Sequence, residues 1–431
     1  MKILVIGGGG REHAICEKIT ESNFASICFW APGSQALKAT GKIKPIDILV
    51  KDTEGLIRFS KDNGVDLIIP GPEQPLCNGF VNVAKKENLK IYGPTKEAAI
   101  LEGSKVFAKR FMRRHKIPTA AFKVFDNAPS ATNYVNQAKY PLVIKADGLA
   151  AGKGVYICES TDEAISAITE IMIDRKYGEA GDKIIIEKYL PGEEATYTII
   201  VDIKSNVLPL ASSQDHKRVF DGDKGPNTGG MGAYSPAPVI TPEVEEKILS
   251  RIVYPTIGGM KKEGRPFIGF PYFGLMIDKN GDPWLLEYNV RLGDPEAQAV
   301  LPRMQTDFVW LIRQALIGNL KNCKIKWDPR PAVCVVMASE EYPASSTKGA
   351  VISGIKYAKK TGANVFLAGT ALNEKEQIIT AGGRVLNITA KGNNFAEAQR
   401  NAYAAVKAIR CDKLFYRTDI ARRAVEWERR R

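Results

Sequence analysis

The first hundred residues alternate short apolar runs with helix-length segments, and this pattern constrains the fold more than any other feature. The apolar runs predict strands at residues 2–6, 27–30, 66–70 and 90–92. Helical patterns follow Arg11, Thr53 and Pro75. Alternation of this kind is typical of an open parallel α/β sheet, in which ligands bind at the carboxyl ends of the strands.

The loop after the first predicted strand reads GGGGREH over residues 7–13. Gly7 and Gly9 fit a dinucleotide-binding fingerprint, but Glu12 stands where the third glycine belongs. The second strand also lacks the acidic residue that would hold a ribose, so an NAD site is disfavoured. A glycine loop followed by Arg11 at a helix N-terminus still suits a phosphomonoester. A plain strand-to-helix turn is the alternative.

The composition is that of an ordinary globular protein. Hydrophobic residues make up 44% of the chain and charged residues 25%. The length of 431 residues predicts about two to four domains. No apolar run reaches the roughly 18–20 residues of a membrane span. Seven dispersed cysteines without a CxxC pair indicate reduced thiols in the cytoplasm and argue against a zinc site.

The net charge of +13 is compatible with nucleic acid or with polyanionic small substrates. The chain has no basic module with stacked aromatic residues, so we expect small substrates and neither a nucleic-acid nor a membrane partner. We interpret the C-terminal arginines as a solvated helix tail; they are Arg422, Arg423, Arg429, Arg430 and Arg431.

The segment KADGLAAGKG over residues 145–154 is the strongest functional signal. An apolar run at 142–144 predicts a strand that delivers Lys145, and further strands are predicted near 122–125, 155–158 and 184–187. The glycines let backbone N–H groups approach an anion, and the lysines supply positive charge. The spacing differs from a Walker loop, because three residues rather than four separate the glycines and Gly154 replaces the hydroxyl. We interpret the segment as an ATP phosphate site, with a solvated hairpin as the alternative.

Two further segments are candidates for ligand contacts. EKYLPGEE over 187–194 breaks an apolar strand, and such a hinge offers backbone groups to an adenine and carboxylates to a ribose; an ordinary hairpin is the alternative. QDHKR over 214–218 precedes GPNTGGMGAYSP over 225–236. The four glycines and two prolines of that stretch predict an irregular substrate loop, with a passive surface loop as the alternative. We interpret His216 as structural.

The segment LLEYNVRLGDPE over 285–296 predicts a strand that ends in polar residues. Glu287 and Asn289 are two residues apart and therefore face the same side. Their oxygen atoms suit Mg²⁺ that is held jointly with substrate phosphates. Arg291 continues the same face and can neutralise a transferring phosphoryl group. A surface strand with outward polar residues is the alternative.

Over the whole chain these segments resemble the phosphoribosylamine–glycine ligase family of the ATP-grasp superfamily. The matching motifs keep the family's order and spacing, and they lie at residues 9–14, 101–105, 145–154, 214–218, 225–236 and 293–296. The resemblance implies an α/β protein with α+β lobes. We expect an N-terminal open parallel α/β domain over 1–103, a two-lobed ATP-grasp module over 104–324 with an ATP lid at about 119–190, and a β-rich C-terminal domain over 325–431.

The resemblance also implies roles for individual residues. Candidate catalytic residues are Lys145, Arg291 and Asp215. ATP would be bound by Lys105, Lys145, Gly152, Gly154, Glu187, Lys188, Leu190, Glu193 and Glu194. Phosphoribosylamine would be bound by Gly10, Arg11, Gly33, Gly71 and Glu73. Glycine would be seated by Asp215 with Gly229, Gly230, Met231 and Gly232. Mg²⁺, or Mn²⁺ as the alternative ion, would be bound by Glu287 and Asn289.

Two departures from the family pattern precede the metal strand. The family usually reads LYAGLM where this chain reads PYFGLM over 271–276. Because a proline within a strand removes a ladder donor, the local geometry at Pro271 cannot be predicted from the family pattern. Many ATP-grasp enzymes carry a carboxylate where this chain has Leu275, so Asp278 is the substitute candidate for a third acidic ligand.

The expected reaction joins glycine to 5-phosphoribosylamine with ATP and gives glycinamide ribonucleotide, ADP and phosphate through a glycyl phosphate. Because the chain ends after one ligase, we expect a monofunctional bacterial-type enzyme of purine synthesis. One rival is another ATP-grasp carboxylate–amine ligase with a different acceptor or carboxylate. The second rival is a non-catalytic nucleotide- or RNA-binding module, which the positive charge would favour.

Overall fold

A four-stranded parallel sheet forms the N-terminal part of the chain, as the alternating pattern predicts. The computed structural model describes residues 1–37, 41–149 and 153–430. The strands of this sheet are β1 (Lys2–Gly7), β2 (Ile27–Pro32), β3 (Ile43–Pro45) and β4 (Leu67–Pro70). They lie in the order β3-β2-β1-β4. Residues 90–92, expected as a strand, contribute only a parallel bridge from Ile91 to Ile68.

Five helices surround this sheet, and two of them bring polar residues to its carboxyl edge. They are α1 (Gly10–Thr20), α2 (Thr53–Asp62), α3 (Glu73–Cys77), α4 (Phe80–Lys86) and α5 (Lys96–Gly103). Helix α1 begins directly after the turn that follows β1, and α3 begins three residues after β4. Arg11 and Glu73 therefore lie at the same edge of the sheet, where ligands of such folds bind.

A small antiparallel lobe follows the helix α6 (Lys105–Arg114). Its elements are β5 (Phe122–Phe125), α7 (Ala128–Val135), β6 (Leu142–Ala146), β7 (Val155–Cys158), α8 (Thr161–Ile168) and β8 (Ile184–Lys188). The strand order is β5-β8-β6-β7, and all four strands lie where the sequence predicts them. Ile144 and Ile186 are buried against alanines of α7 and α8, which gives the lobe a core of its own.

The next segment supplies both a large antiparallel sheet and strands that leave it. Its strands are β9 (Glu193–Val201), β10 (Val207–Pro209), β11 (Gln214–Asp215), β12 (Arg218–Phe220), β13 (Lys224–Asn227), β14 (Gly232–Ser235), β15 (Tyr272–Ile277) and β16 (Pro283–Asn289). Its helices are α9 (Pro242–Ile248), α10 (Tyr254–Lys262), α11 (Glu296–Val300) and α12 (Phe308–Leu316). The large sheet has the order β10-β9-β15-β16, so β16 is an edge strand of this sheet.

Pro271 lies just before the large sheet and keeps a hydrogen bond to it. The strand β15 begins one residue later, at Tyr272. The carbonyl of Pro271 accepts a hydrogen bond from the Ile199 amide at 3.2 Å. The hydrogen bond at this position uses the carbonyl oxygen of residue 271, which proline retains. The backbone N–H that proline lacks takes no part in it.

The C-terminal part is β-rich, as expected. Its elements are β17 (Ala332–Ser339), α13 (Ile355–Lys360), β18 (Asn364–Leu367), β19 (Thr370–Leu372), β20 (Ile378–Thr380), β21 (Arg384–Lys391), α14 (Phe395–Lys407), β22 (Leu414–Phe415) and α15 (Arg422–Arg429). The main sheet has the order β11-β14-β17-β21-β18, with β22 beside β17. Alanines 398, 402 and 405 of α14 are buried, and the helix packs against β17 and β21.

The C-terminal sheet thus includes two strands from the preceding segment. Residues Gly232–Ser235 pair antiparallel with β17, from Gly232 opposite Val335 to Ser235 opposite Ala332. The expectation of an irregular loop over 225–236 is therefore wrong for β13, which pairs with the neighbouring β12, and for β14, where pairing with the distant β17 overrides the local glycine signal. None of the helices in the described ranges has the length and apolar character that a bilayer span requires.

Candidate active site

A cleft of about 550 Å³ lies where the N-terminal edge, the small lobe, the large sheet and the C-terminal sheet meet. Most of the residues predicted for ligand binding line it. They are Arg11, Glu73, Lys105, Lys145, Gly154, Glu187, Lys188, Leu190, Glu194, Asp215, Gly229, Glu287, Asn289 and Arg291. One cleft therefore collects side chains from positions almost three hundred residues apart in the sequence.

The lysine predicted from the glycine-rich loop is held in place by a buried carboxylate. Strand β6 carries Lys145, whose Nζ lies 3.1 Å from Oε2 of Glu187 and 3.2 Å from the carbonyl of Leu286. The other oxygen of Glu187 lies 3.0 Å from Nζ of Lys109, and all three side chains are at most 7% exposed. Burial disfavours the charged carboxylate, but the two lysines more than offset it and hold the pKa of Glu187 below its usual range.

Lys109 is a cleft residue that the sequence analysis did not select. Burial lowers its pKa to about 8, an effect that the neighbouring carboxylate of Glu187 partly opposes. Lys109 lies one helical turn after Lys105 on α6, so the two lysines share one face of that helix. This i, i+4 spacing is the sequence signal that could have identified it.

Lys105 reaches the glycine-rich loop from the start of α6. The hydroxyl of Ser104 caps this helix by accepting from the Phe107 amide at 3.0 Å. The Nζ of Lys105 donates to the carbonyl of Gly148 at 2.8 Å, and burial lowers the pKa of Lys105. Gly148 has a φ of +79°, a conformation that favours glycine. Gly152 lies outside the described residues.

Glu287 and Asn289 end the strand β16 and both face the cleft, as the sequence predicts. Burial acts to raise the pKa of Glu287, but Lys217, Lys145 and Lys105 outweigh it, so this pKa lies below its usual range. In the described part of the chain no three His, Cys, Asp or Glu side chains form a group that could hold a metal. One carboxylate and one amide oxygen fit Mg²⁺ that takes its other ligands from phosphates and water.

Asp278 is not near this pair. It lies in the turn between β15 and β16, where its Oδ1 accepts from the amides of Asn280 at 2.8 Å and Asp282 at 3.0 Å. Its other oxygen accepts from the indole of Trp284 at 3.2 Å. These bonds shape the turn, so the suggestion of Asp278 as a third metal ligand is wrong.

At the N-terminal end of the cleft, Arg291 is held between two carboxylates. Its Nε lies 3.1 Å from Oε2 of Glu73, and its Nη2 lies 3.5 Å from Oε1 of Glu102. Although burial acts to raise it, the pKa of Glu73 is lowered to about 2 by Arg291 and Arg11. Burial raises the pKa of Glu102 to about 7, against the opposing effect of Arg291. Arg11 lines the same end and donates to the carbonyl of Leu292 at 3.1 Å.

Three glycines predicted to touch phosphoribosylamine pack against protein atoms and do not line the cleft. A Cβ added at Gly10 would lie 2.1 Å from Nδ2 of Asn387, and one added at Gly71 would lie 2.1 Å from Oε1 of Glu12. Gly33 has a φ of +65°, and its added Cβ would lie 2.7 Å from the Trp30 carbonyl. These contacts allow the turns to close tightly around the arginine-bearing loop.

Asp215 lines the cleft among other charged side chains. Burial raises the pKa of Asp215 to about 8, with Glu296 and Glu194 acting in the same direction and Lys217 opposing them. The Nζ of Lys217 forms an ion pair with Glu194 and lies 3.9 Å from Glu287. Glu193, predicted for the ribose, is exposed and does not line the cleft.

The segment 229–232 is divided between the cleft and the protein interior. Gly229 lines the cleft, and its amide donates to the hydroxyl of Tyr342 at 2.9 Å. Gly230 has a φ of +106° and packs against Pro295. Met231 is fully buried, and Gly232 belongs to β14. The structure therefore brings only Gly229 of these four residues to the cleft.

Of the C-terminal arginines, Arg422, Arg429 and Arg430 are exposed as expected, Arg423 is not, and Arg431 lies outside the described residues. Arg423 lines the cleft, whereas Arg422 is 57% exposed and lies 3.6 Å from Glu426. Further cleft residues to which the sequence assigned no role include Glu102, Lys217, Tyr272, Asp294, Glu296 and Arg384. Four of these lie within the motifs listed above, namely Glu102, Lys217, Asp294 and Glu296. Only their tertiary positions distinguish them from surface charges.

Comparison with known proteins gives a consistent result over nearly the whole chain. Family models described as the N domain, the ATP-grasp (A) domain and the C domain of phosphoribosylglycinamide synthetase match residues 1–102, 103–297 and 332–423. The phosphoribosylamine–glycine ligase of Vibrio vulnificus strain YJ016 is 47% identical over 431 residues and covers 100% of both chains. That of Neisseria meningitidis serogroup B strain MC58 is 48% identical over 425 residues, covering 99% of this chain and 100% of its own.

Solved structures agree. The crystal structure of phosphoribosylamine–glycine ligase from Thermotoga maritima matches with a TM-score of 0.82 and 32% identity, covering 98% of this chain and 100% of its own. The biotin carboxylase domain of Hydrogenobacter thermophilus 2-oxoglutarate carboxylase, solved with MgADP, matches with a TM-score of 0.72 at 16% identity, covering 96% and 91%. The second likeness concerns the fold alone. The chain therefore belongs to the phosphoribosylglycinamide synthetase family of ATP-grasp ligases.

Proposed function

We propose that this chain joins glycine to 5-phosphoribosylamine with the hydrolysis of ATP to ADP and phosphate, giving glycinamide ribonucleotide for purine synthesis. The observation that carries the proposal is the meeting of three kinds of group in one cleft. Lys105 and Lys145, with the oxygen ligands of Glu287 and Asn289, suit a nucleotide and its metal ion. The carboxyl of Asp215 suits an ammonium group. The end of the cleft that Arg11 lines suits a phosphorylated sugar.

The reaction needs activation of a carboxylate, because a carboxylate oxygen is a poor leaving group. In our proposal an oxygen of glycine attacks the γ-phosphorus of ATP, the bond to ADP breaks, and glycyl phosphate forms. The nitrogen of phosphoribosylamine then attacks the carbonyl carbon and releases phosphate. No protein nucleophile is required, so the chain contributes by positioning and by stabilising charge.

For the nucleotide, we propose that Lys145 and Lys105 bind phosphate oxygens together with the glycine-rich loop. The backbone from Lys188 to Leu190 would receive the adenine, and Glu194 with Glu193 would receive the ribose. Because Glu187 forms ion pairs with two lysines, we assign to its side chain the orientation of Lys145. Glu287 and Asn289 would hold Mg²⁺, or Mn²⁺ in its place, and the ion would neutralise phosphate charge.

For the other substrates, we propose that Arg11 and Glu73 bind phosphoribosylamine and that Asp215 receives the ammonium of glycine. Arg291 would lie near the transferring phosphoryl group. The small lobe over 119–190 would act as a lid that excludes water from the acyl phosphate. We retain the proposed domains at 1–103, 104–324 and 325–431, and we propose a cytoplasmic location, for which the free cysteines in the structure give support.

The decisive experiment measures ADP release by the purified full chain with ATP, Mg²⁺, glycine and freshly prepared phosphoribosylamine. We expect turnover only when glycine and phosphoribosylamine are both present. Turnover with bicarbonate or formate in place of glycine would favour another carboxylate–amine ligase. RNA binding that weakens steeply with salt, without ADP release, would favour a binding module.

The acyl phosphate route has its own test. Glycine labelled with heavy oxygen in its carboxylate should give phosphate that carries one label per turnover, since the attacking oxygen leaves with the phosphorus. Appearance of the label in AMP, with release of pyrophosphate, would refute this route. Mass spectrometry of the released phosphate distinguishes the two outcomes.

A further inference from the structure

The short helix α15 carries Arg423 to the wall of the cleft because the chain before it is firmly attached. The Ala421 amide donates to Nε2 of His216 at 3.1 Å, which ties the start of the helix to the residue after β11. Arg417, only 1% exposed, donates to both oxygens of Asp419 at 2.8 Å and to Oδ1 of Asp223 at 3.0 Å. These bonds attach the chain just before Arg423 to His216 and Asp223.

The guanidinium of Arg423 has donors without a partner. Its Nε is buried and forms no hydrogen bond with any described residue. Its Nη2 lies 3.9 Å from Oδ2 of Asp223, whose other oxygen already accepts from Arg417. A buried donor without an acceptor is costly, and such groups in native proteins generally meet a ligand or an ordered water.

The same wall carries an acidic group without an ion-pair partner. Among the described residues, no Lys, Arg or His lies within ion-pair distance of Asp215. Lys217 is the strongest opposing charge, but it is engaged by Glu194. Arg423 is among the charges that act on the carboxyl of Asp215. The wall therefore offers one carboxyl and one guanidinium that are not neutralised by each other.

We propose that Arg423 binds the carboxylate of the amino-acid substrate while Asp215 receives its ammonium group. The inference rests on the proposed function and extends it to the recognition of glycine. The planar fork of arginine matches a carboxylate, and an acid and a base on one wall match a short zwitterion. The phosphorylated sugar is assigned to the Arg11 end and the nucleotide to Lys105 and Lys145, which arise from other parts of the fold.

The test compares Arg423→Ala and Arg423→Lys with the control Arg422→Ala, since Arg422 is the adjacent exposed arginine. Steady-state ADP release gives the KM for glycine, ATP and phosphoribosylamine, and equilibrium dialysis with labelled glycine gives affinity without turnover. Loss of two charge-assisted hydrogen bonds should raise the KM for glycine on the order of a hundredfold in Arg423→Ala. Arg423→Lys should raise it about tenfold, and the control should stay within about twofold.

The KM values for ATP and phosphoribosylamine should not change. An unchanged KM for glycine in folded Arg423→Ala would overturn the inference, and so would an equal rise for all three substrates. A rise for ATP or phosphoribosylamine alone would assign Arg423 to a phosphate and also overturn it. If Arg423→Ala fails to fold, Arg423→Lys decides by the same criteria. ADP release by the wild type that does not depend on glycine would instead refute the proposed function, and this inference with it.

Discussion

The buried triad of Lys109, Glu187 and Lys145 allows a prediction that separates catalysis from stability. We consider Lys145→Met, Glu187→Gln and the double variant. Lys145 is 7% exposed and lies 3.1 Å from Glu187, so its removal affects both a proposed phosphate contact and a buried ion pair. A single substitution cannot distinguish these two roles, whereas the double variant removes the charged partner as well.

The magnitudes follow from how many partners each group retains. After Lys145→Met, Glu187 still has Lys109 at 3.0 Å, so we expect a loss of about 1–3 kcal/mol in the free energy of unfolding. Glu187→Gln removes the ion pairs of two buried lysines and should cost about 3–5 kcal/mol. The two changes share one contact, so we expect a coupling energy on the order of 1–3 kcal/mol. Loss of the phosphate contact should reduce kcat on the order of a hundredfold or more.

Urea unfolding measures the stability terms, and ADP release with both substrates measures turnover. We expect the double variant to be less unstable than the sum of the single variants and still as inactive as Lys145→Met. If the double variant regained wild-type turnover, Lys145 would serve only to neutralise Glu187, and its role as a phosphate ligand would be refuted. Near wild-type turnover in folded Lys145→Met would lead to the same conclusion.

Three further outcomes test the other parts of the cleft. Glu287→Gln should raise the Mg²⁺ concentration needed for half-maximal turnover, because it removes the only charged ligand of the proposed pair; an unchanged titration would mean that the metal lies elsewhere. Arg11→Ala should raise the KM for phosphoribosylamine about tenfold or more and leave that for ATP unchanged; equal effects would contradict separate sites, and a melting curve controls for its lost bond to Leu292. The pKa of Asp215 is about 8, so below pH 8 this carboxyl is protonated, whereas an ammonium prefers its charged form. The KM for glycine should therefore fall between pH 6 and 8, and a fall that persists in Asp215→Asn would refute this assignment.

The sequence predicted those elements that are determined by their own residues and by the turns at their ends. The four strands of the small lobe were predicted almost to the residue, because each combines β-branched residues with clear turn residues at its ends. The same-face placement of Glu287 and Asn289 also follows directly from the two-residue period of a strand. These features need no knowledge of distant partners.

Features that depend on distant pairing were not predicted. β14 consists of three small residues and a tyrosine and follows a glycine-rich run, so its pairing between β11 and β17 is what makes it a strand. The ion pairs of Glu187 were not predicted for the same reason, since its lysine partners lie on α6 and β6. Arg423 follows the exposed Arg422 in sequence, and the attachment of Ala421 to His216 places it at the cleft.

The sharing of the C-terminal sheet has a consequence for protein engineering. A fragment that ended near residue 324 would leave β14 as an open edge without β17, and exposed edges of this kind promote aggregation. A chimera that exchanged the C-terminal part between ATP-grasp enzymes would likewise have to exchange residues 214–235 with it. The smallest transferable unit of this enzyme is therefore discontinuous in sequence, and libraries that recombine at a single crossover within 236–331 would separate halves of one sheet.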